Sequence, residues 1–459
     1  MFLRRYLSTP SVLRENLIKE LQLRGLIAQI SKPEKWLVEK LQSRDNGNNN
    51  KVKLYCGVDP TAKSLHLGNL VPLMVLLNFY VRGHSVVTLV GGATGRVGDP
   101  SGRITERSEM ATDIRANNIE AISEQLVRFF KNGKKYYERK NKHNTVEFGE
   151  HILKDNYSWW KEVKMLDFLA QYGRHIRVQA MLSRDSVTSR LANQGSLGFN
   201  EFTYQILQAY DFFHLYKEHN VSIQVGGNDQ WGNITAGLDL IGRLEPKSKE
   251  LPAFAVTTPL LSTANGEKFG KSAGNAVFID PEINTPFEIF QFFYNTEDAD
   301  IARFLQIFTL LPRGKIQSIV ADHLRSPHLR KGQNILAKEV TELLHGVDAS
   351  NEAEEVSNVL FGKLKRHEKL DASRLIELCS KARILQHANK SENLIDLLAR
   401  LTNDSKSAAK RKISQGSIYL HSDQIKVSES LTNWDPYLID NKVLLMKIGK
   451  QKTFVIEMK

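Results

Sequence analysis

From Gly68 onward the apolar residues Leu70, Leu73, Met74, Leu77 and Val81 recur three and four positions apart, the spacing that gathers side chains on one face of a helix. The run stops at Arg82-Gly83, where glycine ends a helix at little cost. Before it, Lys53-Leu-Tyr-Cys-Gly-Val58 is a short β-type run that turns at Asp59-Pro60, behind the polar breaker Asn46 to Lys51; after it, Val86 to Val90 reads as a buried strand. Strand, helix and strand in so short a stretch predict a βαβ unit, hence a parallel sheet with a right-handed crossover that takes ligands at the carboxyl ends of its strands. Helical patterning returns from Phe202 to Tyr216, and Ser222 to Val225 runs as a strand into Gly226-Gly227, so the βα alternation resumes. After Asp280 amphipathic helix predominates through Leu344, and the acidic segment Asn351 to Glu355 reads as a boundary. The tail from Ser391 differs again, with short helices around Ser405 to Ile413, a turn at Gln415-Gly416 and strand-like runs Ser417 to Leu420 and Val443 to Met446.

A chain of 459 residues at roughly 100–200 per domain implies two to four domains. Its two cysteines, Cys56 and Cys379, make neither a disulfide framework nor a zinc cluster, so no structural metal and a reducing interior are expected. The most apolar run, Leu70 to Val81, contains Pro72 and Asn78 and falls short of the about 20 residues that span a bilayer. A net charge of +12 suits a polyanion such as RNA, and suits an imported or simply soluble basic protein equally. Met1 to Arg14 carries Arg4, Arg5 and Arg14 among Ser8, Thr9 and Ser11 with no acid before Glu15, the composition of a mitochondrial transit peptide. Lys131 to Lys142 holds six Lys or Arg against Glu138 and reads as a solvated insertion, with an RNA contact as the other reading.

Two motifs carry chemistry. In Asp59-Pro-Thr-Ala-Lys-Ser-Leu-His66-Leu-Gly68-Asn69 a strand turns into a helix whose free N–H groups face incoming phosphate; Gly68 permits close approach, and His66 and Asn69 add side-chain donors. About 200 residues later, Gly266-Glu-Lys268-Phe-Gly270-Lys271-Ser272 sets two lysines three apart on a glycine-flanked loop, suited to clamping a departing pyrophosphate. Tyr204, Gln208 and Asp211 stand at i, i+4 and i+7, on one helix face.

The pair of motifs resembles the HIGH and KMSKS signatures of class I aminoacyl-tRNA synthetases. Tyr55-Cys-Gly-Val-Asp59-Pro-Thr, Val90-Gly-Gly-Ala-Thr-Gly95 with Gly98-Asp99-Pro-Ser-Gly102, Tyr204-Gln-Ile-Leu-Gln208-Ala-Tyr-Asp211 and Gln224-Val-Gly-Gly-Asn-Asp229-Gln230-Trp-Gly-Asn narrow the likeness to the tyrosyl-tRNA synthetases of bacteria and mitochondria, with a fungal mitochondrial enzyme expected. Asn69 stands where HIGH has its second histidine, and Phe269-Gly270 where KMSKS has Met-Ser. The resemblance implies an α/β fold: a Rossmann-like parallel-sheet catalytic domain over residues 31–280 with a connective insertion around 120–200, an α-helical anticodon-binding domain over 281–350, a linker over 351–390 and a small α+β RNA-binding module over 391–459, after a transit peptide ending near residue 30.

It also implies residue roles. Asp211 and Tyr55 would meet the tyrosine phenol, Asp99, Tyr204 and Gln208 its ammonium, and Gln224 and Gln230 the tyrosyl side near the carboxylate. Gly57, Asp59, Gly68, Gly227 and Asp229 would contact the nucleotide. Thr61 and His66, with Asn69, would hold phosphate while Lys268, Lys271 and Ser272 attend the departing pyrophosphate. Lys406, Lys410, Arg411 and Lys412 would bind tRNA. ATP would arrive with Mg²⁺, and the partners would be tRNA(Tyr), L-tyrosine and a second copy of the chain, in the mitochondrial matrix and away from the membrane. The competing readings are an RNA-binding or intron-folding protein on this scaffold, a tryptophanyl enzyme and a plain nucleotidyltransferase.

Overall fold

A computed structural model describes residues 16–42, 44–45, 48–49, 51–101, 110–141, 147–192, 197–245, 252–266, 269–272, 275–361, 371–420, 425–427, 431, 433–449 and 452–459. They form two units, Met1–Ile279 with Glu297–Ser326, and Asp280–Thr296 with Pro327–Lys459.

The first unit is built on six strands: β1 (Gln29–Ile30), β2 (Lys53–Val58), β3 (Ser85–Val90), β4 (His151–Asp155), β5 (Ile223–Gly227) and β6 (Phe254–Thr258). Their order is β1-β6-β5-β2-β3-β4; all pairs are parallel except β1 on β6. All of β6 is buried and so is all of β3 but Ser85, as befits a parallel sheet covered on both faces. The predicted first helix is α2 (Leu70–Tyr80), which follows α1 (Leu17–Leu23) in the chain. One 3₁₀ turn, Leu67–Asn69, precedes α2, and Pro72 falls in its first turn, where a missing N–H costs nothing. Every other residue of α2 is buried, between the sheet and the helices outside it.

Several sequence expectations change. The transit-like start does not extend to residue 30: Ile18, Leu21 and Leu26 are buried core, and β1 pairs with β6. Arg24, only 3% exposed, donates to the carbonyls of Gln306, Thr309 and Leu311, and its Nε bonds Glu20, which also takes Arg82 at 2.6 Å. Residues 1–15 lie outside the described residues. The basic stretch from Lys131, expected as a solvated insertion, continues a long helix: through Lys140 it forms the last turns of α3 (Thr112–Lys140), whose buried stripe Ile122, Leu126, Phe129, Phe130, Gly133 and Tyr136 keeps helical spacing beneath the lysines. Lys142 lies outside the described residues.

The third change is the boundary at 280. After α4 (Phe199–His219) and α5 (Trp231–Leu244), the short strands β7 (Lys271–Ser272) and β8 (Asn275–Ala276) form a hairpin, and α6 (Asp298–Phe308) and α7 (Arg313–Arg325) return to the first unit, tied there by Arg24.

In the second unit the helix Pro286–Tyr294 opens with a Thr285–Glu288 capping box, and α8 (Lys331–His345) and α9 (Val347–Leu360) pack against it. Residues 351–390, expected as a linker, instead supply most of α9, α10 (Ala372–Lys381) and β9 (Leu385–Ala388), leaving residues 362–370 outside the description. The acidic segment Asn351 to Glu355 lies within α9, with Ala353 buried between its acids. Helices α11 (Leu394–Thr402) and α12 (Lys406–Ser414) lead into β10 (Ile418–Leu420), β11 (Ile425–Lys426), β12 (Leu438–Ile439), β13 (Val443–Ile448) and β14 (Lys452–Met458). The sheet runs β9-β14-β13-β10-β11, with β12 on β13, so the small α+β module begins before residue 391. Among the described residues no helix is long and apolar enough to cross a membrane.

Removing Arg24 leaves the buried bonds to the Thr309 and Leu311 carbonyls unmade and takes from Glu20 one of its two arginines. Arg24→Ala should lower unfolding stability by roughly 3 kcal/mol, as urea denaturation measures.

Candidate active site

Chain connections run from β2 outward through β3 to β4 on one side, while β5 lies on the other, which makes the β2/β5 junction a topological switch point. The two strands pair only at Leu54 with Ile223 and Tyr55 with Gln224, whereas β2 follows β3 along its full length. Beyond Tyr55 they part, and a cleft of about 560 Å³ opens there. It is lined by Tyr55, Gly57, Asp59 and Thr61 from β2 and its turn, by His66, Gly68 and Asn69, and by Asp99. Tyr204, Gln208 and Asp211 from α4 and Gln224, Gly227, Asp229 and Gln230 from β5 and the turn after it complete the wall. Lys271 and Ser272 form β7, and Lys268 lies outside the described residues.

Asp211, 2% exposed, sits at one end. Its Oδ1 accepts from the indole N–H groups of Trp159 at 2.9 Å and Trp160 at 2.7 Å, and its Oδ2 from Asn156 Nδ2 at 2.9 Å. Packing holds these donors: Trp159 stacks on His214 at 4.5 Å, and Trp160 leans on Tyr210 and Phe168. Burial pushes the Asp211 carboxyl up to about 7, against the three N–H groups, which favour its charged form. Beside it the Tyr55 hydroxyl is buried with no hydrogen-bond partner, and burial, followed by the Asp211 charge, keeps that phenol neutral far above its ordinary range.

A polar chain leads from this end to the other. Asn156 Nδ2 also donates to Thr94 Oγ1 at 3.0 Å, Thr94 donates to Asp59 Oδ1 at 2.8 Å, and the Tyr204 hydroxyl donates to Asp59 Oδ2 at 2.8 Å. Asp59 therefore ties the turn after β2 to Thr94 and to Tyr204 of α4. Gly91 is required by this chain, since a Cβ there would lie 2.0 Å from Asp59 Oδ1. Across the cleft, Gln230 Nε2 donates to Asp99 Oδ2 at 2.6 Å, and the Ser101 amide to Asp99 Oδ1 at 3.0 Å.

The two signature turns meet through backbone. The Leu67 amide donates to the Val277 carbonyl at 2.9 Å, the Val277 amide to the Gly270 carbonyl at 2.7 Å and the Ile279 amide to the Leu65 carbonyl at 2.9 Å. Gly270 has φ +84°, and a Cβ there would stand 3.2 Å from the Gly68 nitrogen, so glycine in place of serine is what lets the second turn lie on the first. Asn69 Oδ1 accepts from the His66 amide at 3.0 Å, closing the first turn. Among the described residues no group of three or more His, Cys, Asp or Glu is placed to hold a metal ion.

In the second unit Lys406, Lys410, Arg411 and Lys412 share α12, whose Ala409 and Ile413 face the core. Lys406 pairs with Asp396 at 2.7 Å and Lys412 pairs with Asp404, while Lys410 and Arg411 are exposed.

A family model for the class I tRNA synthetases, W and Y, matches residues 47–362. The mitochondrial tyrosine–tRNA ligase of Saccharomyces cerevisiae is 58% identical over 466 residues, which span 99% of this chain and 93% of that protein. This chain belongs to the tyrosyl-tRNA synthetase family. Tyrosine–tRNA ligase 2 of Bacillus cereus is 37% identical over 96% of this chain and 100% of its own. A C-terminally truncated Aspergillus nidulans mitochondrial tyrosyl-tRNA synthetase superposes with a TM-score of 0.68 at 33% identity, over 75% of this chain and 94% of that one.

In this synthetase fold the residues that sequence reasoning passed over are those that hold the expected ones: Asn156, Trp159 and Trp160 on Asp211, Thr94 on Asp59, and Asn233, which donates to Gln230 Oε1 at 3.2 Å. Thr94 lay inside a quoted motif, and the adjacent tryptophans, two of five in the chain, were a compositional signal. Nothing local links Asn156 to a carboxylate 55 positions away.

Removing a donor withdraws support from the charged carboxylate. Trp160→Phe should move the Asp211 titration upward from about 7, as read by carboxyl-carbon NMR of the free protein; an unchanged or lower titration would show that the indole does not stabilise the charge.

Proposed function

We propose that the chain is a tyrosine–tRNA ligase of the mitochondrial matrix, which joins L-tyrosine to ATP and then to tRNA(Tyr). The observation that carries the choice of amino acid is the closed end of the cleft, where the Asp211 carboxylate and the partnerless Tyr55 hydroxyl lie buried together. A substrate phenol donates to the carboxylate and accepts from Tyr55; phenylalanine would leave both unpaired. The substrate ammonium meets Asp99, Tyr204 and Gln208, with Asp59 behind Tyr204. Its carboxylate, beside Gln224 and Gln230, points toward the switch point where ATP binds along Gly57, Gly68, Gly227 and Asp229.

A carboxylate oxygen attacks the α-phosphorus in line, the new O–P bond forms, and the bond to the bridging oxygen breaks with its electron pair leaving on pyrophosphate. Thr61, His66 and Asn69, with Lys268, Lys271 and Ser272, stabilise the charge that accumulates there. The terminal ribose hydroxyl of tRNA then attacks the tyrosyl carbonyl and AMP departs. Mg²⁺ enters as part of the ATP substrate.

In the second unit, Lys406, Lys410, Arg411 and Lys412 lie together on α12 as cations suited to tRNA phosphate, and the helices from Pro286 serve the anticodon. Met165, Leu166, Leu169, Val178, Leu182, Leu191 and Phe199 are all exposed within 35 residues of chain, an apolar surface that a second copy would cover. The mitochondrial names of the yeast and Aspergillus relatives support the compartment. The complete pocket weighs against a role in RNA binding alone, and its buried carboxylate against tryptophan, whose indole offers N–H in a different place.

Amino-acid-dependent ATP–pyrophosphate exchange tests this reading. Tyrosine should support exchange while phenylalanine and tryptophan do not, and Asp211→Asn should lower kcat/KM for tyrosine by about 30-fold or more with the KM for ATP little changed, since a hydrogen bond to a buried charge is worth about 2 kcal/mol. Equal rates with phenylalanine would overturn the assignment.

A further inference from the structure

The segment from Leu261 to Gly270, which brings in the second signature turn, is fastened at several points to one face of α6. Asp300, 4% exposed, accepts from the Ala264 amide at 2.8 Å through Oδ2 and from Arg303 Nη2 at 2.6 Å through Oδ1. The same Arg303 nitrogen donates to the Ser262 carbonyl, and the guanidinium lies over the Phe304 ring. At the far end of the segment the Phe269 ring stacks on Phe308 at 4.9 Å and 20°, and meets Phe304 edge-on at 5.0 Å. Asn265 donates to Glu297, which precedes α6. Positions 300, 303–304 and 308 recur at helical spacing, so one rigid surface holds both ends of the segment. Within the segment, order comes from a turn, Gly266 N to Thr263 O at 2.9 Å, and a bridge, Phe269 N to Leu261 O at 3.0 Å.

We propose that Asp300 and Arg303 are positioning residues for the ATP step, setting the height of the second signature turn over the first. The proposal rests on the ligase reading above and adds to it residues outside both motifs. Phe269 anchors one end of the segment through apolar packing; the Asp300–Arg303 pair anchors the other by taking one amide and one carbonyl of its backbone. With the pair removed, the segment keeps its Phe269 pivot and loses its fixed height, and a clamp on a departing pyrophosphate loses its effect when displaced by about 1 Å. The tyrosine pocket stands on other elements, β2, α4 and the 156–160 turn, so its affinity should not follow. Were the pair a helix-surface ion pair alone, with Arg303 41% exposed, its loss would alter neither substrate parameter.

The test is pyrophosphate exchange by the full chain, normalised to active-site titre, for Arg303→Ala, Arg303→Lys and Asp300→Ala. The expected result is a fall of about tenfold to a hundredfold in kcat/KM for ATP in the two alanine variants, KM for tyrosine within about twofold of the parent, and partial recovery in Arg303→Lys. Unchanged ATP parameters in Arg303→Ala, or a KM for tyrosine that rises in step with the loss, overturn the proposal. Should Asp300→Ala fail to fold, Arg303→Ala decides alone, because its side chain is partly exposed. Two readouts separate the levels of inference: absence of any tyrosine-dependent pyrophosphate exchange in the parent refutes the ligase reading, while an Ala264 amide whose hydrogen-exchange protection stays the same in Asp300→Ala refutes the fastening itself.

Discussion

Keeping one carboxylate charged at 2% exposure is the constraint around which the site is arranged. Taken from water without replacement partners, such a group takes up a proton instead of staying ionised. Asn156 and the two adjacent indoles stand in for water at Asp211, and each is itself held by packing or by a second hydrogen bond. Those three residues occupy a single turn after β4, so the position of the carboxylate on α4 is referred to the far edge of the sheet. Through Thr94 the same network reaches Asp59 and Tyr204, which makes the Asp211 end and the Asp59–Tyr204 end of the pocket one hydrogen-bonded body.

A second constraint acts where the sheet divides. Splaying of β2 from β5 beyond Tyr55 leaves room for a nucleotide, and the two signature turns, far apart in sequence, are joined there by main-chain hydrogen bonds. At Gly270 a side chain would be strained: φ is +84° and a Cβ would crowd the Gly68 nitrogen at 3.2 Å. The departure from Met-Ser at this position is thus read in the backbone. The opposite flank of the same segment is packed by α6, a helix that Arg24 in turn ties to the N-terminal helix.

Local pattern carried β2, α2, β3 and the Tyr204–Gln208–Asp211 face, because each is a short run whose spacing and apolar content reveal it without its neighbours. It failed where polarity at the surface hid burial beneath. Lys134 and Lys135 stand between the buried Gly133 and Tyr136, so a helix read as an insertion. The acids of residues 351–355 mark the outer side of α9 in the same way. Arg24 belongs by composition with the arginines of a transit-like start, yet it is spent on backbone carbonyls nearly 290 positions away. Asn156, Trp159 and Trp160 form no motif with Asp211; only the sheet brings them together.

The most direct measurement of the central claim is the ratio of kcat/KM for tyrosine to that for phenylalanine, taken as a function of pH through pyrophosphate exchange. In the proposed reading Asp211 accepts the phenol when ionised, and burial raises its carboxyl to about 7. The acceptor is therefore fully present above that value and is lost as pH falls through it, while phenylalanine makes no use of it. The account predicts a ratio that is constant at alkaline pH and declines below about 7. A ratio that stays flat from pH about 6 to about 8.5, or that rises on acidification, would contradict it.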